Sequence, residues 1–345
     1  MALKIDSFLF YNLSMIKNNK LGAFIVPTGI GASIGGYAGD ASTWARRFAQ
    51  HAATIVNPNV VNAGAFSGIT QNMLYVEGYS LDEFFKGKVN LQPSIKNKIG
   101  VIFDKGISQN VLNIHLNTIN AVKTVYDIDI IYESTPEAVE VNFFVDNSGI
   151  STGKVKNIET LLCTAKNLLQ KGAKAIAVVC KFNEDNQQNQ EYENGLGVDP
   201  IGGVEAIISH YLSKELKIPV AHAPAFEDFS ISTKIIDPKS SAEYITPTFL
   251  PCILIGLNQA PLISNSKNAI KIADLDFLVM PYNALGSTPV FEAIKRGIKV
   301  FAVRENHSVL NVTKKALAID NVIEVDTYEK CLELVKNLPC KSIYC

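Results

Sequence analysis

The chain has 345 residues, of which 47% are hydrophobic and 19% charged, with a formal net charge of −1 and six cysteines. That length supplies ample volume for a core and fits one large or two medium domains. Near-neutral charge, with no Lys/Arg block longer than a pair, argues against a nucleic-acid partner, whose phosphates call for a basic patch.

The cysteines are too sparse for a disulfide scaffold and no two have C-x-x-C spacing, so they read as free thiols of a reducing, cytoplasmic compartment. Asp6, Asn12 and Ser14 interrupt the apolar N-terminal stretch "MALKIDSFLFYNLSMIKNNK", and no A-x-A cleavage site follows. No apolar run reaches the roughly 18 residues of a membrane helix. The sequence therefore predicts a soluble protein without a membrane partner, and an oligomer is compatible with it.

Along the chain, "GAFIVP", "IGVIFD", "VNFFVD", "AIAVVC", "IPVAHA", "PCILIG", "DFLVMP" and "KVFAV" are short apolar runs with little alternation. Strands buried on both faces look like this. Between them lie helical patterns such as "NIETLLCTAKNLLQKGAK", "PIGGVEAIISHYLSKELK" and "TPVFEAIKRGIK", and "NVIEVDTYEKCLELVKNL" closes the chain as a strand and helix. The alternation predicts an α/β fold: a doubly wound, largely parallel sheet with Rossmann-like βαβ units, in two halves or as a weak threefold repeat. A soft boundary divides an N-terminal part, 1–135, from a C-terminal part, 136–345. Polar, turn-rich connections are expected over 183–200 and 235–241.

Three places run strand, short Gly/Ser/Thr loop, helix, strand. The first, "FIVPTGIGASIGGYAGDAS", holds five glycines in eleven residues, Gly29 to Gly39. Glycines admit a ligand close to backbone N–H groups, and a helix N-terminus favours an anion. Thr28, Gly29, Gly31 and Ser33 are therefore candidate contacts for a phosphate or carboxylate. A structural turn, with Asp40 capping the next helix, is the plainer reading. The spacing lacks the G-K-[ST] of a Walker loop and is a loose variant of the dinucleotide fingerprint, so no cofactor is assigned. The second loop contributes Ser148, Gly149 and Ser151, and the third Gly286, Ser287 and Thr288. In a parallel sheet such loops share the carboxyl edge, where open α/β folds bind ligands.

Charged residues at the ends of apolar runs are candidates for acid–base or electrostatic roles: Asp146, Lys181 and His222, with Arg304 as a two-pronged anion ligand. Polar groups at Glu77 and at Glu305–Asn306 with Asn311 stand at strand ends too, and Asp199 lies downstream of Lys181. His210 adjoins the apolar residues Val204, Ile207, Ile208 and Tyr211 and reads as core edge. His210 and His222 lack the spacing and carboxylate motif of metal ligands, so no metal site is expected. Cys180 and Cys252, inside apolar runs, read as inert core.

The third loop is similar to the second domain of nucleotide-sugar enzymes with two Rossmann halves, through Gly286, Ser287, Thr288, Glu292, Ala293 and Gly297. Over most of its length the chain resembles an uncharacterised bacterial family, domain of unknown function 3326, frequent in cyanobacteria. The segments that carry this are "VPTGIGASIGGYAGDA", "NMLYVEGYSLDEFF", "GVDPIGGVEAIISHYL", "IPVAHAPAF", "TFLPCILIGL" and "VRENHSVLNVT". The family's "GQGVD" stands here as "GLGVD", and its Ala-Leu-Gly-Gly as Ala284-Leu285-Gly286-Ser287. The resemblance implies no activity.

The residues together lead to the expectation of an enzyme, a transferase or hydrolase, acting on a small anionic metabolite in a cleft at the strand carboxyl ends. A non-catalytic binding or regulatory protein using that cleft is the alternative. A third reading is a cyclic amide hydrolase like the cyanuric acid hydrolases, which are built from three similar units with Ser–Lys pairs. Ser33, Ser151 and Ser287 would be its serines, with Lys154 and Lys156 the nearby lysines.

Overall fold

Apolar runs that do not alternate need burial on both faces, and here two parallel sheets provide it. The computed structural model describes residues 20–182, 192–227, 233–266 and 268–339. The chain opens with β1 (Leu21–Phe24), α1 (Ser42–Ala49), β2 (Ala53–Val56), α2 (Pro58–Val61), the short β3 (Asn62–Ala63) and β4 (Phe66–Ser67), β5 (Met73–Tyr75), α3 (Gly78–Phe85) and β6 (Asn90–Gln92). A middle stretch follows with β7 (Ile99–Phe103), α4 (Gln109–Tyr126), β8 (Ile130–Ser134), β9 (Glu140–Val145) and β10 (Ser151–Lys156). It continues through α5 (Ile158–Gln170), β11 (Ala175–Lys181), α6 (Gly202–Leu216) and β12 (Val220–Ala225). The last stretch holds α7 (Ser241–Tyr244), α8 (Leu250–Asn258), β13 (Leu262–Ser264), β14 (Phe277–Pro281), α9 (Thr288–Lys295), β15 (Lys299–Val303), β16 (Val322–Val325) and α10 (Tyr328–Lys336).

The larger sheet has the order β16-β15-β14-β1-β2-β5 and is parallel throughout. The smaller, also parallel, runs β12-β11-β7-β8. Each is wound outward in both directions from its first strand, β1 or β7, so each has a point where the winding reverses. The chain builds half of the large sheet, leaves to make the small one, and returns to complete the first. The expected boundary at 135/136 falls directly after β8, inside the small-sheet stretch.

The two-sided burial is visible residue by residue. In β14, Phe277 and Val279 enter the core shared by the two sheets, while Leu278 and Met280 enter the core on the large sheet's other face. In β11, Ala177 and Val179 face the shared core, and Ile176 and Val178 face α5 and α6 in the small sheet's outer core. Helix α8 lies in the shared core through Leu250, Ile253, Leu254 and Leu257.

Three expectations are corrected. "VNFFVD" is a strand, β9, but it is largely exposed and pairs antiparallel with β10 rather than being buried on both faces of a parallel sheet. "PCILIG" is not a strand but most of α8. A helix buried on nearly every side has the same continuous apolar run as a strand, and Pro251 is at home in its first turn. The second Gly/Ser loop joins not strand to helix but the antiparallel pair β9–β10. Its turn is closed by the Gly149 N–H donating to the Asp146 carbonyl (2.9 Å), with Gly149 at φ +82°. The first and third loops do connect parallel βαβ units as expected.

The β9–β10 hairpin seats α6. The Ser151 hydroxyl donates to the Pro200 carbonyl (2.8 Å) and accepts from the Gly203 N–H (3.0 Å), fixing the first turn of the helix. A Cβ on Gly203 would run into the Ser151 carbonyl. Alanine is worth up to about 1 kcal/mol over glycine in an open helix, but a clash with backbone costs more. Gly203→Ala should therefore destabilise the protein by about 1–3 kcal/mol in urea unfolding. An unchanged or raised stability would mean that α6 does not approach the hairpin this closely.

Candidate functional site

A cavity of about 330 Å³ opens between the carboxyl edge of the large sheet and the helices that flank the small one. That is the size of a pocket for a small metabolite. From the large sheet come Pro27 and Thr28 after β1, Asn57 after β2, Glu77 after β5, and Ser287 ahead of α9. Facing them are Glu205, Ser209 and His210 of α6, His222 of β12, Glu243 of α7 and Cys252 of α8. Asn57 holds the β1 and β2 ends at fixed spacing: its Oδ1 accepts from the Val26 N–H (3.1 Å) and its Nδ2 donates to the Val26 carbonyl (2.8 Å).

Among the described residues, five carboxyl groups line this space, Glu77, Asp82, Asp199, Glu205 and Glu243, and no Lys or Arg does. Removal from water disfavours the charged form of each. Burial pushes Glu77 up to about 7, even though it caps α3 by accepting from the Tyr79 and Ser80 N–H groups (2.9 and 3.2 Å) and from the Ser213 hydroxyl (2.7 Å). Glu243 is pushed up to about 8, first by burial and then by Asp199. Glu205 is held well above the ordinary carboxyl range by burial, reinforced by Asp199 and Glu243. Burial raises Asp199 and Asp82 as well.

His222 is the counterpart. Burial lowers it to about 3, so its ring is neutral. The Ser209 hydroxyl points at the Glu205 and Ala206 carbonyls (3.3 and 3.2 Å), so the His222 Nδ1–H donates to Ser209 Oγ at 3.0 Å. That assignment leaves the Nε2 lone pair facing Glu205 Oε2 at 3.7 Å. A carboxyl held well above its ordinary range and a neutral imidazole thus stand side by side, just beyond direct hydrogen-bond distance. The other oxygen, Glu205 Oε1, is buried without a partner.

Of the residues expected from sequence, His222, Thr28 and Ser287 line the cavity, and the Ser287 hydroxyl has no partner. Gly29 accepts from the Ser151 N–H (3.1 Å). Gly31 packs against Gly197, Val198 and Val309, and Gly149 lies near Val309 too. The first loop and the hairpin turn therefore meet behind the cavity. Ser33 donates to the Glu305 carbonyl (3.1 Å) and accepts from the His307 N–H (3.1 Å). Gly286 packs against Val312, and Thr288 begins α9. Asp146 is exposed in the hairpin turn, held below its ordinary range by the Ser148 hydroxyl and the Ile150 and Ser148 N–H groups. Lys181 pairs with Glu227 (3.0 Å). Arg304 pairs with Glu324 and lies over the Tyr282 ring, 4.7 Å from its centroid. Asp146, Lys181 and Arg304 do not border the cavity.

The glycine-rich loop uses part of its own backbone donors internally. The Gly35 and Tyr37 N–H groups donate to Asp40, and the Ile34 N–H donates to Asn306 Oδ1 (3.0 Å). Asp40, which does not cap α1, occupies the place an external anion would take against those two amides. Burial raises it to about 6.

The family of proteins of unknown function DUF3326 matches residues 22–338, which span both sheets and every wall of the cavity. The chain belongs to that family. It is 35% identical over 313 residues to an uncharacterized lipoprotein of Synechococcus sp., covering 88% of this chain and 87% of that protein. No solved structure matches it.

Reasoning from sequence left Glu205 and Glu243 of this family member unremarked and placed His210 at a core edge. Helical spacing carried a signal: Gly202, Glu205, Ala206, Ser209 and His210 form one stripe of α6, and it is this small and polar stripe that faces the cavity. His210 also abuts the α3 N-terminus, where a Cβ on Gly78 would clash with its ring.

A pH dependence follows with a definite sign. A carboxyl raised to about 8 holds its proton in the folded state, whereas the unfolded chain releases it near pH 4.3. Stability therefore falls as pH rises toward 8, by at most about 1.4 kcal/mol per pH unit per group. His222 acts oppositely: its stabilising neutral form is lost as pH drops from about 6.5 toward 3. Between about pH 6.5 and 8 the carboxyls act without it, so Glu243→Gln should flatten the decline in urea-unfolding stability there. Equal slopes for the variant and the parent would contradict the raised pKa of Glu243.

Proposed function

We propose that this chain is an enzyme that holds a small polar metabolite in the cavity and moves a proton on it, with Glu205 and His222 as the acid–base pair. The observation that carries this reading is the buried, unpartnered Glu205 Oε1 beside a neutral imidazole whose Nε2 lone pair faces the same carboxyl. A proton held on Glu205 is available to a substrate atom, and His222 Nε2 is available to take one, so the pair serves both directions of transfer. Ser209 fixes the tautomer by accepting from Nδ1. Such proton transfer is the step that hydrolases and group transferases share.

The lining also bears on the ligand. The cationic groups expected for an anionic metabolite, Lys181 and Arg304, are paired with Glu227 and Glu324 away from the cavity. Thr28 and Ser287 remain as polar contacts for an anionic portion of a ligand at the large-sheet edge. Among the carboxyls, the buried portion of the ligand is better matched by a neutral or positive group. The Ser–Lys reading has less support: Ser33 and Ser151 are bonded to backbone groups, and Lys156 pairs with Glu140 (2.8 Å). Four cysteines, Cys163, Cys180, Cys252 and Cys331, are free thiols, which favours a reducing compartment. Among the described residues no helix is long and apolar enough to cross a membrane.

The test is turnover of an unbiased metabolite extract by purified protein, followed by mass spectrometry. Glu205→Gln and His222→Asn should each slow any conversion by about 10²–10⁴-fold. Binding of a metabolite without conversion by the parent protein would instead favour the non-catalytic reading.

A further inference from the structure

Among the described residues that line the cavity, two buried acceptor atoms have no hydrogen-bond partner, beside the unpartnered hydroxyl of Ser287. Glu205, only 5% exposed, lines the cavity with its Oε1 buried and unpartnered, and Asn62 Oδ1 in the same lining is also buried and unpartnered. With Nδ1–H donated to Ser209, His222 Nε2 is a third acceptor. Burying an acceptor without a donor costs free energy, so an occupant that donates at several points is favoured. Charge points the same way, because among the described lining residues there are five carboxyls and no Lys or Arg. The ammonium of Lys239 lies instead over the Tyr37 ring, 5.3 Å from its centroid.

We infer that the ligand of this cavity carries an ammonium or guanidinium group, seated among Asp199, Glu205 and Glu243. The inference rests on the cavity being the ligand site and adds the ligand's charge. An ammonium offers three donors and a guanidinium five, and neither accepts. The Tyr37 and Tyr192 rings, 5.1 Å apart, present aromatic surface to the same space, which suits an organic cation. A polyatomic cation fits better than a metal ion, since among the described residues no three His, Cys, Asp or Glu side chains are grouped to hold one.

Binding would release protons. The titratable groups acting on Glu205 are Asp199 ahead of α6, Glu243 of α7, His222 of β12 and Cys180 of β11, with His210 a turn further along α6 beside His222. A cation placed among these carboxyls favours their ionised forms, so about one proton should leave per cation bound near neutral pH.

The experiment is calorimetric titration of the full chain at about pH 7.5 in two buffers of different ionisation enthalpy. The cationic probes are agmatine, 1,4-diaminobutane and methylguanidine, with 1,4-butanediol and succinate as neutral and anionic counterparts. At least one cation should bind about tenfold or more tightly than both counterparts, with proton release. Glu205→Gln should weaken it by about tenfold or more, and Ala206→Trp, which fills the cavity, should abolish it. Should Glu205→Gln fail to fold, Glu243→Gln makes the same comparison. If succinate or butanediol binds best and Ala206→Trp blocks it, the cavity is a ligand site and the cation inference is overturned. If no probe binds, or Ala206→Trp changes nothing, the cation inference and the cavity reading fall together.

Discussion

Carboxyl groups drawn into one enclosed space and given no lysine or arginine cannot all ionise there, because each charge loses its water and meets the others. Glu77, Asp199, Glu205 and Glu243 are in that position. The protein answers in two ways. Some carboxyls are tied to donors, as Glu77 is to the first turn of α3 and to Ser213. Glu205 is not: one of its oxygens has no partner and the other faces a neutral histidine. A structural role alone would be met more cheaply by an apolar side chain of similar volume. The unbalanced arrangement is what singles out this cavity as the candidate site.

The fold brings these groups together by its winding. Because the large sheet is parallel, Thr28, Asn57 and Glu77 all leave its strands on one edge, although they are spread over the first part of the chain. The opposite wall comes from the small sheet and its helix α6, whose position is fixed by the Ser151 hydroxyl between Pro200 and Gly203. The hairpin turn with Asp146 thus contributes by bracing α6 rather than by chemistry. The glycine-rich loop is a brace too, with Asp40 on its amides and Ser33 tied to residues 305–307.

Buried strands were the most legible feature of the sequence, because two-sided burial leaves continuous apolar runs such as 277–281. The same rule misread 251–256, since a helix enclosed in the shared core satisfies it equally. Of the site, Thr28 could be read because it follows a strand run, and parallel strands place such ends on one edge. His222 was expected to end a strand but lies inside β12, which runs on to Ala225. Glu205 could not be read this way: an acidic residue in the first turn of a helix is ordinary, favoured by the helix dipole. Only the packing of α6 against the cavity turns its polar stripe inward. Arg304 and Lys181 looked available from their positions in sequence, but each meets a carboxylate, Glu324 and Glu227, that no local pattern announces.

The central claim is that burial and its acidic neighbours make Glu205 keep its proton well above the ordinary carboxyl range. Infrared spectroscopy of protein with isotope-labelled glutamate reads this directly, because a protonated carboxyl and a carboxylate absorb in separate regions. A label-sensitive protonated-carboxyl band at pH 7 that loses part of its intensity in Glu205→Gln, the remainder coming from Glu77 and Glu243, is the result this account requires. A spectrum at pH 7 with only ionised glutamate, unchanged in that region by the substitution, would contradict it.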